Sequence, residues 1–171
     1  MSKMKKIFAM LLTLAMVLGM ATTAFAAPIA VPSGVDKATI AVTGLPAGAT
    51  VKAYQIVDAT YDEVGFVAFE EVVAGSIADP TKPTAAEVSD IANRIALGTL
   101  TFTAEQTKTL AAQADGSYAV EAEAGYWLIV VDPIGYKIFN PMIAGVTYKN
   151  EDGSGNTIEG GKVDSTKTLN Q

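Results

Sequence analysis

The side chains with the best spacing for chemistry are carboxylates. Glu121 and Glu123 stand two apart in an alternating stretch, which puts both on one face of a strand, close enough to work as the acid and base of a carboxylate-dependent hydrolase. The solvated outer face of a sheet explains the same pair. Glu70 and Glu71 are adjacent, so they point to opposite faces. Asp152, Ser154 and Asn156 alternate as calcium ligands do, but Thr157 and Val163 occupy the positions where a calcium loop has its glycine and its glutamate. A plain turn is the competing reading. Gly160-Gly161-Lys162 has the glycines and lysine of a phosphate loop at the wrong spacing, with Val163 in place of the hydroxyl residue, and is rejected as one. The chain has no histidine and no cysteine, which removes the usual neutral-pH base, thiolate nucleophiles, structural zinc and the Ser-His-Asp triad. No cofactor is expected.

The elements that must position these groups begin behind a leader. Lys3, Lys5 and Lys6 precede the apolar run Ile7 to Met20, and Ala24-Phe25-Ala26 offers small residues for a peptidase, so residues 1–26 read as a secretory signal peptide cut before Ala27. The apolar run is shorter than the ~20 residues a membrane span needs, and contact with membrane is expected only during export. Removal of the leader leaves 145 of the 171 residues, with nine basic side chains against 18 acids and a net charge of −9. A body that acidic, without a basic cluster, does not hold nucleic acid. Residues 27–35, with two prolines, read as a flexible lead-in, 36–168 as a single domain, and 169–171 as its end or the start of a linker.

Within 36–168, short runs rich in Val, Ile, Tyr and Thr between Gly, Pro and Asp predict strands over Ala38–Thr43, Ala49–Asp58, Gly65–Val73, Ser117–Glu123, Tyr126–Val131 and Met142–Tyr148. Tyr126–Val131 does not alternate, which predicts a strand buried on both faces. Thr84 and Glu87 form a Thr-x-x-Glu capping box ahead of Val88, Ile91, Ala92 and Ile95, and Gly98 ends that helix. Thr103 and Gln106 predict a second helical turn to about Gln113, and Asn150–Gly161 a polar loop. Tyr54, Phe66, Phe69, Tyr126 and Trp127 fall in predicted strands, as core or as a sugar-stacking platform. The sum is a mainly β fold, an antiparallel immunoglobulin-like sandwich with one inserted helical segment.

The order of Ala53-Tyr54-Gln55-Ile56-Val57-Asp58, a helical insertion, Gly125-Tyr126-Trp127-Leu128-Ile129-Val130-Val131-Asp132 and Asn140-Pro141-Met142 resembles the N-terminal domain of the shaft pilins of Gram-positive bacteria. The resemblance covers Asp36 to Thr168. It implies a non-catalytic structural subunit of an adhesive fimbria at the cell surface or cell wall, with other pilin subunits and a sortase as partners. The family joins its subunits by an amide bond from a lysine to the C-terminal threonine of the next, often at a Tyr-Pro-Lys-Asn motif. Here Val146-Thr147-Tyr148-Lys149-Asn150 lacks the proline, and Lys149 is the linkage candidate the resemblance offers. Internal Lys-to-Asn or Lys-to-Asp bonds also occur in the family. The candidates are Lys37, which alternation turns to water, and Lys52, which shares a face with Tyr54 and Ile56; no partner is identifiable, and no internal bond is expected. No Leu-Pro-x-Thr-Gly signal accompanies Lys167–Gln171, so the chain is expected to be the front of a longer pilin or a free-standing secreted domain. The alternatives left open are a secreted adhesin module for carbohydrate or host protein, and the hydrolase.

Overall fold

A strand without polar alternation needs cover on both sides, and the computed structural model, which describes residues 36–63, 65–148 and 158–167, shows what supplies it. Along the chain run β1 (Lys37–Thr43), β2 (Val51–Tyr61), β3 (Phe66–Glu71), α1 (Ala85–Ala96), β4 (Thr107–Thr109) and β5 (Ala111–Ala112). They are followed by β6 (Tyr118–Glu123), β7 (Gly125–Val131), β8 (Met142–Tyr148), β9 (Ile158–Gly160) and β10 (Lys162–Asp164). One sheet has the order β10-β1-β6-β5; the other has β3-β2-β7-β8-β9, with β4 also paired to β2. On its inner side β7 sends Trp127, Ile129 and Val131 into a core shared with Ile40, Val42, Tyr118 and Ala122 of the first sheet. On its outer side Leu128 joins Ile56 and Val57 beneath Val88 and Ile91 of α1. Trp127, Leu128 and Ile129 are therefore dry on both sides of the strand, while Tyr126 and Val130 on the outer side are only partly covered.

Helix α1 forms where the capping box stands. The Thr84 N–H donates to Glu87 Oε2 at 2.7 Å, and the Glu87 N–H donates to Thr84 Oγ1 at 3.4 Å. The Ala78 N–H, then the Thr84 N–H and hydroxyl, hold the Glu87 carboxyl below its ordinary range. Val88 and Ile91 are fully buried while Ala92 and Ile95 flank them, so the apolar stripe faces the sheet. Glu71, at the end of β3, accepts from the N–H groups of Gly75, Ser76 and Ile77 and shapes the chain that leads to the helix.

Two glycines allow the sheets to join. Between β6 and β7 the chain passes from the first sheet to the second within a single residue, Ala124. Gly125 takes φ 138°, where a side chain would run into the Val57 carbonyl. At the other seam, a Cβ on Gly160 would run into the backbone of Thr39. Gly161 then donates its N–H to the Gly145 oxygen at 2.7 Å and accepts from the Ala41 N–H at 3.1 Å, one bond to each sheet. The glycines that failed as a phosphate loop are a crossover. Having crossed, β10 runs parallel to β1, with Ala41 opposite Lys162 and Thr43 opposite Asp164. The sandwich is thus mixed rather than purely antiparallel.

Three further expectations are corrected. The Thr103 and Gln106 box does form, with hydrogen bonds of 3.1 and 3.4 Å, but it closes one turn only. Beyond it, β4 pairs with β2 and β5 with β6. The stretch 103–113 has one large apolar side chain, Leu110, which drops into the inter-sheet core, so a helix there would have had no stripe to bury. The predicted polar loop ends early: Ile158–Gly160 pairs with β8, and 150–157 lies outside the described residues. Strand β2 bulges against β7 at Gln55 to Val57 and runs past its expected end at Asp58 to Tyr61, where it pairs with β3.

Candidate functional site

Each lysine and acid singled out in the sequence has a definite place or lies beyond the described residues. Lys149 lies outside them, as do Asp152, Ser154 and Asn156. Lys52 is exposed on β2, opposite Val130 of β7 and Thr109 of β4. Its neighbour on that face, Tyr54, packs on Phe102 with ring centroids 5.4 Å apart. Lys37 opens β1 directly opposite Glu123 of β6, and its Nζ stands 3.3 Å from Glu123 Oε1.

A second cation meets the same carboxylate. Lys108 of β4 places its Nζ 3.0 Å from both Glu123 oxygens and 5.8 Å from the Trp127 ring centroid. The Trp127 indole N–H in turn donates to the Glu123 backbone oxygen at 2.9 Å. Burial opposes ionisation of Glu123, but Lys108 and Lys37 outweigh it and hold the carboxyl below its ordinary range. Glu121, by contrast, is exposed opposite Thr39. The two glutamates that share a face thus differ in surroundings, and Glu123 is shifted away from what a general acid needs. Sequence reasoning missed Lys108 because it placed that residue in a helical turn. Thr107-Lys108-Thr109 is too short and too uniformly polar to show a strand period, so no local signal marked it.

A small cleft of 220 Å³ beside this junction is lined by Asp36, Gln55, Asp58, Tyr61, Glu105 and Glu123. Partial burial raises the Asp58 carboxyl, against the pull of the Ala59 N–H and the Gln55 amide, each 2.9 Å from Oδ1. Above it, the Tyr148 hydroxyl donates to Asp36 Oδ2 at 2.9 Å and lies 2.6 Å from the Tyr61 hydroxyl. Burial, then these two partners, pushes the Tyr148 hydroxyl far above its ordinary value, so it remains a neutral donor. The chain entering β1 is thereby tied to the end of β8. Among the described residues no group of three or more acidic side chains is placed to hold a metal ion.

The larger concavity, 580 Å³, runs along β3 and has four aromatic side chains in its lining. Phe66, Phe69, Tyr126 and Tyr148 line it, with Val67 and Thr147 on its sides and Lys82 at its rim. The rings form a row: Phe66 is 4.8 Å from Tyr148 and 5.0 Å from Phe69, which is 5.8 Å from Tyr126. The Tyr126 hydroxyl donates to the Thr81 oxygen at 2.9 Å, and its ring lies over Gly145, whose missing side chain leaves the room. Three of the five aromatic residues picked from the sequence, Phe66, Phe69 and Tyr126, meet in this groove, while Trp127 is core and Tyr54 lies under the insertion. Elsewhere, Tyr136 and Ile138 stand exposed on the connection from β7 to β8.

Comparison with known proteins places this architecture. No curated protein matches the chain. Among solved structures it is similar to the T6 backbone pilin of serotype M6 Streptococcus pyogenes, described as a modular three-domain structure decorated with variable loops and extensions. The TM-score is 0.63 at 24% identity, a likeness of fold, and the match covers 78% of this chain but 28% of that one. The chain therefore spans a little over a quarter of the length of the pilin it matches. A family model, the T6 antigen Ig-like domain, matches residues 35–169, from the entry of β1 to beyond β10. The chain belongs to the T6 antigen Ig-like domain family.

Proposed function

We propose that this chain is a structural domain of a surface pilus: a module of a covalently assembled shaft, exported through the leader at 1–26 and working at the cell wall. The observation that carries the reading is the family match over residues 35–169, which takes in the whole described fold. The mixed sandwich and the likeness to one module's length of a backbone pilin support it. The residues add a chemical argument. The carboxylates beside the small cleft are engaged: Glu123 by two lysines, and Asp58 by an amide and a backbone N–H. That is the arrangement of a staple between strands, not of an acid and base awaiting a substrate.

Linkage falls to a lysine: its neutral amine attacks the threonine carbonyl held as an acyl group on the sortase, the bond from that carbonyl to the enzyme's nucleophile breaks, and the amine proton passes to the departing group as the amide forms. Lys149 is our choice. It follows Tyr148 directly, and Tyr148 is anchored through Asp36 and Tyr61, so the chain leaves β8 from a fixed point. Its partners in this reading are other pilin subunits and a sortase, and the domain 36–168 is one unit of a longer shaft protein. An antibody against this domain tests the reading on cell-wall digests. The expected result is a denaturant-resistant ladder of bands that collapses to one band when the sortase is deleted. A single band in both strains overturns it.

A further inference from the structure

Two apolar features lie at opposite ends of the second sheet. The first is the groove along β3, where Phe66, Phe69, Tyr126 and Tyr148 meet and Val67 is 56% exposed. The second is the connection from β7 to β8. There Ile134 and Lys137 exchange backbone hydrogen bonds of 3.1 and 3.0 Å around a two-residue turn, Gly135-Tyr136. The base of this hairpin is fixed: the Asp132 N–H donates to the Thr50 oxygen at 3.0 Å, and Phe139 packs against the inter-sheet core. At its tip Tyr136 is fully exposed, and Ile138 is 83% exposed.

We propose that these features are the two halves of one contact between copies of this chain: the Tyr136 tip of one molecule seats in the β3 groove of another. The two lie too far apart to meet within one molecule. The groove reaches Tyr126 near the start of β7, and the hairpin begins beyond Val131 at its end, about 20 Å away at ~3.3 Å per residue. A tip held at its base does not cross that distance. Shape favours the pairing, because a convex aromatic tip that is already fixed loses little freedom on entering an aromatic concavity. Charge favours it as well. The hairpin carries Lys137 beside its tip and Asp132 at its base, and Lys137 has no ion-pair partner among the described residues. The groove has Lys82 at its rim, while Glu63 and Glu70 stand exposed before and within β3. Each charge of the hairpin thus has an opposite charge to meet, which offsets the repulsion between two acidic copies.

Area sets the strength of the contact. A tyrosine buries about 150–250 Å². With Ile138 and the groove walls they cover, the total is on the order of 600 Å², about half of the ~1,200 Å² at which stable interfaces begin. Two free molecules are therefore held weakly, with a Kd on the order of 1 mM. Because tip and groove are different surfaces, each docked molecule keeps one of them unused, and the contact propagates instead of closing into a dimer. Where copies are fixed along shafts, many such contacts between neighbouring shafts act together. That use rests on the pilus reading; the contact itself does not.

The test uses the chain from Ala27 and two variants of it altered only at exposed positions: Tyr136→Ser with Ile138→Ser at the tip, and Val67→Arg in the groove. Unchanged β7 and β8 amide resonances show that all three are folded. In the unaltered chain, NMR resonances of Tyr136 and of the Phe69 and Tyr126 rings are expected to move together as concentration rises into the millimolar range. Each variant alone is expected to associate at least about tenfold more weakly. Mixing the variants then decides the arrangement. The isotope-labelled tip variant, titrated with the unlabelled groove variant, regains the Phe69 and Tyr126 shifts, because such a pair retains one intact tip and one intact groove. Resonances of the unaltered chain that stay fixed with concentration overturn the proposal. So does a variant that associates as strongly as the unaltered chain, which places tip on tip or groove on groove, and so does a mixture that restores nothing. The pilus reading is judged separately, by the sortase-dependent ladder.

Discussion

The two sides of β7 carry similar residues under different covers. Inward, Trp127, Ile129 and Val131 meet a second sheet, and the seam is closed at both ends by glycine crossovers, at Gly125 and at Gly160-Gly161. Outward, Leu128 lies under a 12-residue helix, but Tyr126 remains half-buried at the edge of an open groove. A sheet covers a sheet along its whole length, whereas one short helix covers only a patch. In this domain the inner side holds the fold together, and the outer side keeps a surface available.

That contrast fails or sharpens under substitution. The largest effect is expected from Trp127→Ala, which empties the centre of the inter-sheet core and also removes the N–H that holds the Glu123 oxygen: a loss of about 3–5 kcal/mol in chemical denaturation. If it costs no more than a surface change, the inner side is not the anchor. Ile91→Ala, which removes one of the helix's two fully buried contacts on the outer side, is expected to cost less, about 2–3 kcal/mol, because a helix packed at one patch can settle into the gap. Equal losses from these two substitutions would erase the distinction between the sides.

Smaller still is Thr84→Ala, which breaks the capping box and costs about 1 kcal/mol in the same titration. The acid limb of the stability profile should show the least. Glu123, Glu71 and Glu87 have folded-state values below ordinary, so the stability they lend is full above the ordinary carboxylate range and is lost as pH falls through those lowered values. Asp58, raised on folding, acts in the opposite sense and gains as pH falls through its raised value. In Glu123→Gln the decline measured by denaturation between pH 5 and about pH 3 should be shallower but still present, because the N–H-bound Glu71 and Glu87 remain. An unchanged profile would show that the Lys37 and Lys108 pairs contribute nothing on folding.

The long elements were legible because their signals are local. Tyr126–Val131 announced burial on both faces, Met142–Tyr148 alternates, and Thr84 with Glu87 marked the start of α1. The strands β4, β5, β9 and β10 have two or three residues each, too few for a period, and their pairings follow from where the longer strands leave an edge. The Thr103 box misled because a cap records how a turn begins, not whether an apolar stripe continues it. Lys108 was missed for that reason, and with it the second partner of Glu123. The groove was illegible for another reason: its rings come from β3, β7 and the end of β8, distant in sequence, and meet only through the register of the second sheet. The family resemblance rested on the order of segments, which survives a wrong assignment of any one of them.

The central claim is that this domain is a covalently linked part of a shaft, and the measurement closest to it is tandem mass spectrometry of the denaturant-resistant ladder. The expected result is a branched peptide in which Lys149 carries the C-terminal threonine of a second subunit. Ladder material in which Lys149 and every other lysine of the domain is recovered unmodified would contradict it.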